Sequence, residues 1–227
     1  MHLWGRKKDL FIYGPKGLSE IITVQLQFSE TNISYNIHFK ELDTENSEKI
    51  VDEATYTVHT IPLSHRINCC GFLFREKPKK RRLILDKLPI TITPLQKIAL
   101  KQGEDIKGQN GEVVQNSDLT LPAKKSLSFA YCSDTRYLES IIPIIKEVDL
   151  LFHEATFHST LIERAAITHH STAEQAATIA LKANVGKLII GHFSSRYKDL
   201  IPILEEARAV FPNTELAEEG RIFVVNE

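Results

Sequence analysis

Leu127-Ser128-Phe129-Ala130-Tyr131-Cys132-Ser133-Asp134-Thr135 is the stretch on which the fold turns. A β-prone apolar run ends, two residues on, in a side chain able to bind a metal. The same construction occurs twice more, as Ile189-Ile190-Gly191-His192 and as Thr55–Leu63 running into Pro62-Leu63-Ser64-His65. Strands hold such side chains rigidly at their C-terminal ends, while the loops beyond leave coordination positions open. Histidine with aspartate suits zinc or a similar divalent ion, and an aspartate placed between two ions can bridge them.

Working outward, the chain downstream of residue 127 alternates strand and helix. The pattern predicts a helix over Tyr137–Glu147, a buried strand at Leu150–Phe152, and an alanine-rich helix over Ala173–Ala183. The last begins at a capping box with Ser171 as N-cap and Glu174 at N3. A strand at Lys187–Gly191, an amphipathic helix at Leu200–Phe211 and a final strand at Gly220–Val225 complete this half. Upstream, strand Leu10–Tyr13 leads into a helix from Pro15 to about Phe28. Strands at Ile33–Leu42, Thr55–Leu63 and Cys70–Arg75 then suggest an antiparallel meander. Residues 76–126 have weak periodicity, a helix near Pro94 and turn chemistry at Gly108-Gln109-Asn110-Gly111. So long an irregular connection reads as an inserted arm.

The 227 residues are 42% hydrophobic and 25% charged, ordinary for a soluble globular protein. No apolar run is long enough for a membrane span, and the N-terminus has no apolar segment after its basic residues. The expected compartment is the cytoplasm. Cys69, Cys70 and Cys132 form neither an even framework nor a CxxC pair and read as reduced thiols. The net charge of −1 hides a local cluster: Lys77-Pro78-Lys79-Lys80-Arg81-Arg82 places five cations within six positions. Such a patch suits a polyanion, or is simply a solvated loop.

Further polar segments surround the three strand-end residues. His153-Glu154 and His170 suggest a second layer, in which a glutamate orients an imidazole that protonates a leaving oxygen. His169-His170 read equally well as a loop before the capping box. Arg196, in His192-Phe193-Ser194-Ser195-Arg196-Tyr197, can contact phosphate bidentately or form a surface ion pair.

Taken in order, these segments resemble the ribonuclease Z family of the metallo-β-lactamase superfamily. The matches are Ile12-Tyr13-Gly14-Pro15-Lys16-Gly17, Pro62-Leu63-Ser64-His65-Arg66, Ser133-Asp134-Thr135-Arg136, His153-Glu154-Ala155-Thr156-Phe157, His170-Ser171-Thr172-Ala173-Glu174-Gln175-Ala176 and His192-Phe193-Ser194-Ser195-Arg196-Tyr197. The resemblance implies an α+β fold, the four-layer αββα metallo-β-lactamase sandwich, spanning 1–227 with an inserted tRNA-binding arm at 76–108. It implies removal of the 3′ trailer of precursor tRNA, leaving a 3′-hydroxyl, by a homodimer carrying two Zn2+ per complete subunit. His65 would ligate one ion and His192 the other, with Asp134 bridging. Glu154 and His170 would form the proton-donating pair, and Arg196 and Lys79, Lys80, Arg81 and Arg82 would contact tRNA.

Three departures accompany the match. The family's His-x-His-x-Asp-His motif, which supplies four further ligands, is not among the 227 residues. Thr93-Pro94-Leu95 through Gly103-Glu104 is only a loose counterpart of the family's Gly-Pro-rich arm, and Cys132-Ser133-Asp134 stands where Ser-Gly-Asp is common. With so few ligands the chain is expected to be N-terminally truncated, with apolar sheet surface uncovered, weak zinc binding and little cleavage. Two alternatives stay open at this point: a sister metallo-hydrolase of small phosphodiesters or sulfate esters, and a non-catalytic RNA-binding or dimerisation fragment.

Overall fold

The computed structural model describes residues 5–225. Strand β1 (Leu10–Gly14) is followed by helix α1 (Leu18–Phe28) and β2 (Ile37–Glu41), and β1 and β2 pair in parallel as a sheet of their own. The expected helix start at Pro15 moves to Leu18, because Gly17 takes the left-handed N-cap position with φ of 91°. Strands β3 (Lys49–Asp52), β4 (Tyr56–Pro62) and β5 (Cys70–Glu76) form the antiparallel meander. The expectation placed Ile33–Leu42 in it. That strand is shorter and lies beside β1 instead, since the crossover through α1 makes the parallel pairing.

Residues 77–127 leave the sheet and return to it. Strand β6 (Arg82–Leu83), helix α2 (Pro94–Gln102), the hairpin β7 (Ile106–Lys107) and β8 (Val113–Val114), short α3 (Asn116–Leu119) and β9 (Thr120–Leu121) make a small body. Leu100, Ile106 and Leu119 are its core. Thr93 and Gln96 cap α2 reciprocally, and Pro94 stands in its first turn, where the missing N–H costs nothing. Strands of two residues leave no period to read.

Strand β10 (Ser128–Cys132) re-enters antiparallel to β5, and β11 (Leu150–Glu154), β12 (Lys187–Gly191) and β13 (Thr214–Leu216) add on in parallel. The seven strands lie in the order β13-β12-β11-β10-β5-β4-β3. Helices α4 (Ile162–Thr168), α5 (Ala173–Lys182) and α6 (Ile201–Val210) complete the half. The expected helix over Tyr137–Glu147 reduces to a single 3-10 turn, Glu139–Ile141, because Pro143 lacks the N–H that would extend it. The expected strand at Gly220–Val225 is irregular backbone, and the edge strand is β13 instead. It ends the parallel ladder beside Leu188–Ile190.

One face of the large sheet packs on α5 and α6. Leu73, Ala130, Leu151 and Ile190 meet Ala173, Ala176, Ala177 and Ala180, whose small side chains let α5 approach closely. The opposite face is aromatic. Phe74 stacks on Phe129 at 5.9 Å and Tyr131 on Phe152 at 4.7 Å, with Phe74 and Tyr131 still exposed.

All three cysteines are free. Cys132 is fully buried, and burial pushes its thiol up to about 12, from 9.0. The unfolded chain therefore loses this proton first as pH rises, so stability present below pH 9.0 declines between the two values. Unfolding free energy is expected to fall there by up to about 1.4 kcal/mol per pH unit from Cys132 alone. Urea titrations of native chain and Cys132→Ala across this range check it; an equal slope in both would show that Cys132 contributes nothing.

Candidate metal centre

Strand direction decides where the functional side chains gather. Strand β4 is antiparallel to β5, and β5 to β10, so β4, β10, β11 and β12 all point the same way. His65, Asp134 and His192 follow the C-terminal ends of three of these strands, and Glu154 ends the fourth. They meet at one edge, the usual crevice of a parallel sheet. His170 joins them from the loop between α4 and α5. His65, Asp134 and His170 present ligand atoms within 4.8 Å of one another, and Glu154, His170 and His192 do the same.

Each imidazole is held by the same nitrogen. His65 Nδ1 donates to the His169 carbonyl at 3.0 Å, His170 Nδ1 donates to Glu154 Oε1 at 2.9 Å, and His192 Nδ1 lies 2.9 Å from Thr156 Oγ1. All three Nε2 atoms thereby face the centre, as ligand or as proton donor. His192 Nε2 lies 3.1 Å from Asp134 Oδ1. An imidazole nitrogen and a carboxylate oxygen so close are atoms that one cation can hold together. The donor set of imidazoles and carboxylate fits a divalent ion of the zinc type.

Glu154 organises this edge. It is fully buried and accepts from Thr135 N at 2.6 Å, His170 Nδ1 at 2.9 Å, Thr156 Oγ1 at 2.6 Å and Ser171 N at 3.0 Å. Its partners come from four separate positions, so one carboxylate fixes the loops after β10 and β11 and the start of α5. Thr135 Oγ1 accepts from Ser64 N at 3.1 Å, which ties in the loop carrying His65. Backbone strain gathers at the same place: Asp134, His169 and His192 have φ of 56°, 56° and 60°. Such left-handed residues cost of order 1–3 kcal/mol each and persist only where their surroundings enforce them. Gly191 precedes His192 because a Cβ there would lie 2.7 Å from the Phe152 ring.

No protein-family model matches the chain. Curated relatives do. Ribonuclease Z of Cytophaga hutchinsonii is 50% identical over 228 residues, taking in 100% of this chain and 73% of the relative. Ribonuclease Z of Bacteroides thetaiotaomicron is 46% identical over 225 residues, covering 99% of this chain and 71% of its own length. The chain belongs to the ribonuclease Z family. Among solved structures, human tRNase Z, short form, superposes with a TM-score of 0.61 at 21% identity, covering 99% of this chain and 70% of that one. A metallo-β-lactamase fold protein of Bacillus subtilis gives 0.57 at 17% identity, over 94% and 64%. The α+β fold is the metallo-β-lactamase fold.

Ribonuclease Z enzymes are metal-dependent hydrolases, and the residues expected to serve that chemistry fall into two groups. His65, Asp134, Glu154, His170 and His192 converge as described. Arg196 lies beside them: its guanidinium is 5.0 Å from the Phe157 ring centroid, and that ring is edge-on to His170 at 6.3 Å. Lys79, Lys80, Arg81 and Arg82 are elsewhere. They follow β5 at Glu76, whereas Cys69, just before β5, donates to the Asp134 carbonyl at 3.4 Å. The seven residues of β5 put about 20 Å between the basic run and the centre. Part of that run is also structural. Lys77 pairs with Asp52, Lys79 with Glu76 at 2.6 Å, and Arg81 donates to Thr120 Oγ1 at 2.8 Å. Lys80 and Arg82 are exposed.

His153 differs from the expectation. Glu154 orients His170, and His153 is buried on the helix-covered face, its Nδ1 donating to the Glu154 carbonyl at 2.7 Å. Burial holds its pKa below the ordinary imidazole value, so it is a neutral packing residue. The capping box likewise shifts by one: Thr172 is the N-cap and Gln175 the N3 residue. Ser171 is already committed, its hydroxyl donating to the Thr135 carbonyl at 2.7 Å and its N–H to Glu154. Sequence reasoning passed over Thr156, Thr135 and Ser171. All three lie inside the quoted motifs, and that placement was the available signal. Among the described residues no helix is long and apolar enough to cross a membrane.

Proposed function

We propose that this chain is a zinc-dependent endoribonuclease that removes the 3′ trailer of precursor tRNA. The observation that carries this reading is the convergence of three imidazoles, each anchored through Nδ1, on Asp134 at one sheet edge. His65 would hold one ion and His192 the other, with Asp134 placed to serve both. Zinc supplies Lewis-acid stabilisation of the charge that develops on the phosphoryl group. Water adds to phosphorus as the P–O3′ bond breaks, and Glu154 holds His170 so that its Nε2 delivers a proton to the leaving 3′-oxygen; the tRNA departs with a 3′-hydroxyl and the trailer keeps the phosphate. Arg196, stacked on Phe157, contacts a neighbouring phosphate.

Segment 76–108 acts as the tRNA-binding arm, with Lys79, Lys80, Arg81 and Arg82 on its base. Its distance of about 20 Å from the centre suits contact with tRNA seated on the partner in a homodimer. The setting is cytoplasmic. A basic arm is superfluous for a small diester, which disfavours the sister-hydrolase reading.

Cleavage of a 3′-extended precursor tRNA tests the function. With His170 kept as the proton donor, each ion is left one imidazole, His65 or His192, besides Asp134, fewer than the three or four donors that usually hold each zinc. The 227-residue chain is therefore expected to hold less than two zinc ions and to cleave slowly. Zinc-dependent endonucleolytic release of an intact trailer supports the reading. Stepwise trimming, or cleavage indifferent to chelation, overturns it.

A further inference from the structure

Thr156 ends the His-Glu-Ala-Thr segment, and its hydroxyl has three partners with only one proton to give. Glu154 Oε2 lies at 2.6 Å, His192 Nδ1 at 2.9 Å and the His192 carbonyl at 3.0 Å. The carboxylate is the nearest acceptor and the charged one, so it takes the proton. The Thr156 oxygen is then left as an acceptor toward His192, which fixes the ring proton on Nδ1. That choice puts the lone pair on Nε2, the atom 3.1 Å from Asp134 Oδ1. It also joins His192 to Glu154, and through Glu154 to His170, by hydrogen bonds that run through the buried side chains of Thr156 and Glu154.

We propose that Thr156 is a positioning residue that sets the tautomer of His192 and so prepares its Nε2 for the metal, coupling that ligand to the Glu154–His170 pair. It touches neither substrate nor ion and acts through its two neighbours. A serine at this position keeps the hydroxyl. A valine keeps the shape, removes the acceptor and leaves His192 Nδ1 and Glu154 Oε2 each short of a partner.

The inference rests on the metal-centre reading, and its test separates the two. Long-range 1H–15N spectra of the metal-free chain are recorded at about pH 8, well above the ordinary imidazole pKa of about 6.5. Native chain and Thr156→Ser are expected to show His192 protonated on Nδ1, and Thr156→Val to lose that preference. Zinc affinity, measured by competition with a chromophoric chelator, is expected to fall about 10–100-fold in Thr156→Val, the usual effect of removing a partner behind a ligand. Thr156→Ser should stay within about 3-fold of native, because the acceptor is retained. An Nε2–H tautomer in the native chain, equal zinc affinity in Thr156→Val, or a Thr156→Ser chain as weak as Thr156→Val overturns the proposal. Failure of the native chain to take up zinc overturns the metal-centre reading, and the spectra still decide the role of Thr156.

Discussion

Glu154→Gln is expected to destabilise the chain by about 3–5 kcal/mol, nearly as much as Glu154→Ala, although glutamine matches glutamate in size. The reason lies in how the donors are shared. Oε1 accepts from Thr135 N and His170 Nδ1, and Oε2 accepts from Thr156 Oγ1 and Ser171 N. Whichever oxygen becomes the amide nitrogen, it confronts two of these donor positions with a third donor. Thr156 and His170 can rotate or change tautomer, but the N–H groups of Thr135 and Ser171 cannot. At full burial no water is at hand to relieve them. A domain with about 5–15 kcal/mol of total stability is left marginal by such a loss. Urea unfolding of the three chains reads the effect as a shift in midpoint at unchanged slope. A Glu154→Gln chain within about 1 kcal/mol of native would mean that the four bonds do not act as a unit. Cleavage should fall as well, because His170 loses the acceptor that orients it.

The same carboxylate shows where sequence reading reaches its limit. His65, Asp134 and His192 were legible because each stands within two or three residues of the strand that carries it, and a strand end is a local pattern. The donors to Glu154 come from Thr135, Thr156, His170 and Ser171, and only the folded topology brings them to one atom pair. The N-cap shift has the same origin. Ser171-Thr172-Ala173-Glu174-Gln175 offers two overlapping capping boxes, and local chemistry does not choose between them. Ser171 is excluded only because Thr135 and Glu154, both distant in sequence, occupy its hydroxyl and its N–H. Long elements read well: α5 and α6 and strands β4, β5, β10 and β12 lie within a residue or two of their expected bounds. Strands β3 and β13, of four and three residues, carry too little period to be seen. The helix expected over Tyr137–Glu147 shows the opposite error, an apolar pattern overruled by the covalent geometry of Pro143.

Asp134 offers the sharpest separation of charge from structure. Its backbone sits at φ of 56°, a conformation that asparagine adopts as readily as aspartate. Asp134→Asn therefore keeps the turn after β10, and its unfolding free energy is expected to stay within about 0.5 kcal/mol of native. Zinc binding should behave quite differently. Asp134 shares a ligand group with His65 and His170 and lies 3.1 Å from His192 Nε2, so losing its charge weakens both sides of the centre. Removing a partner behind a ligand already costs about 10–100-fold in affinity, and replacing the ligand itself is expected to exceed the upper figure. His65→Ala and His192→Ala each remove one side only, and each should leave more residual zinc than Asp134→Asn. Chelator competition and metal content on the three chains rank them. If Asp134→Asn binds zinc as well as His65→Ala does, the aspartate serves one ion and the two sides of the centre are independent. If it binds zinc more weakly than either histidine variant at native stability, one carboxylate joins them, and the strained turn after β10 exists to place it between His65 and His192.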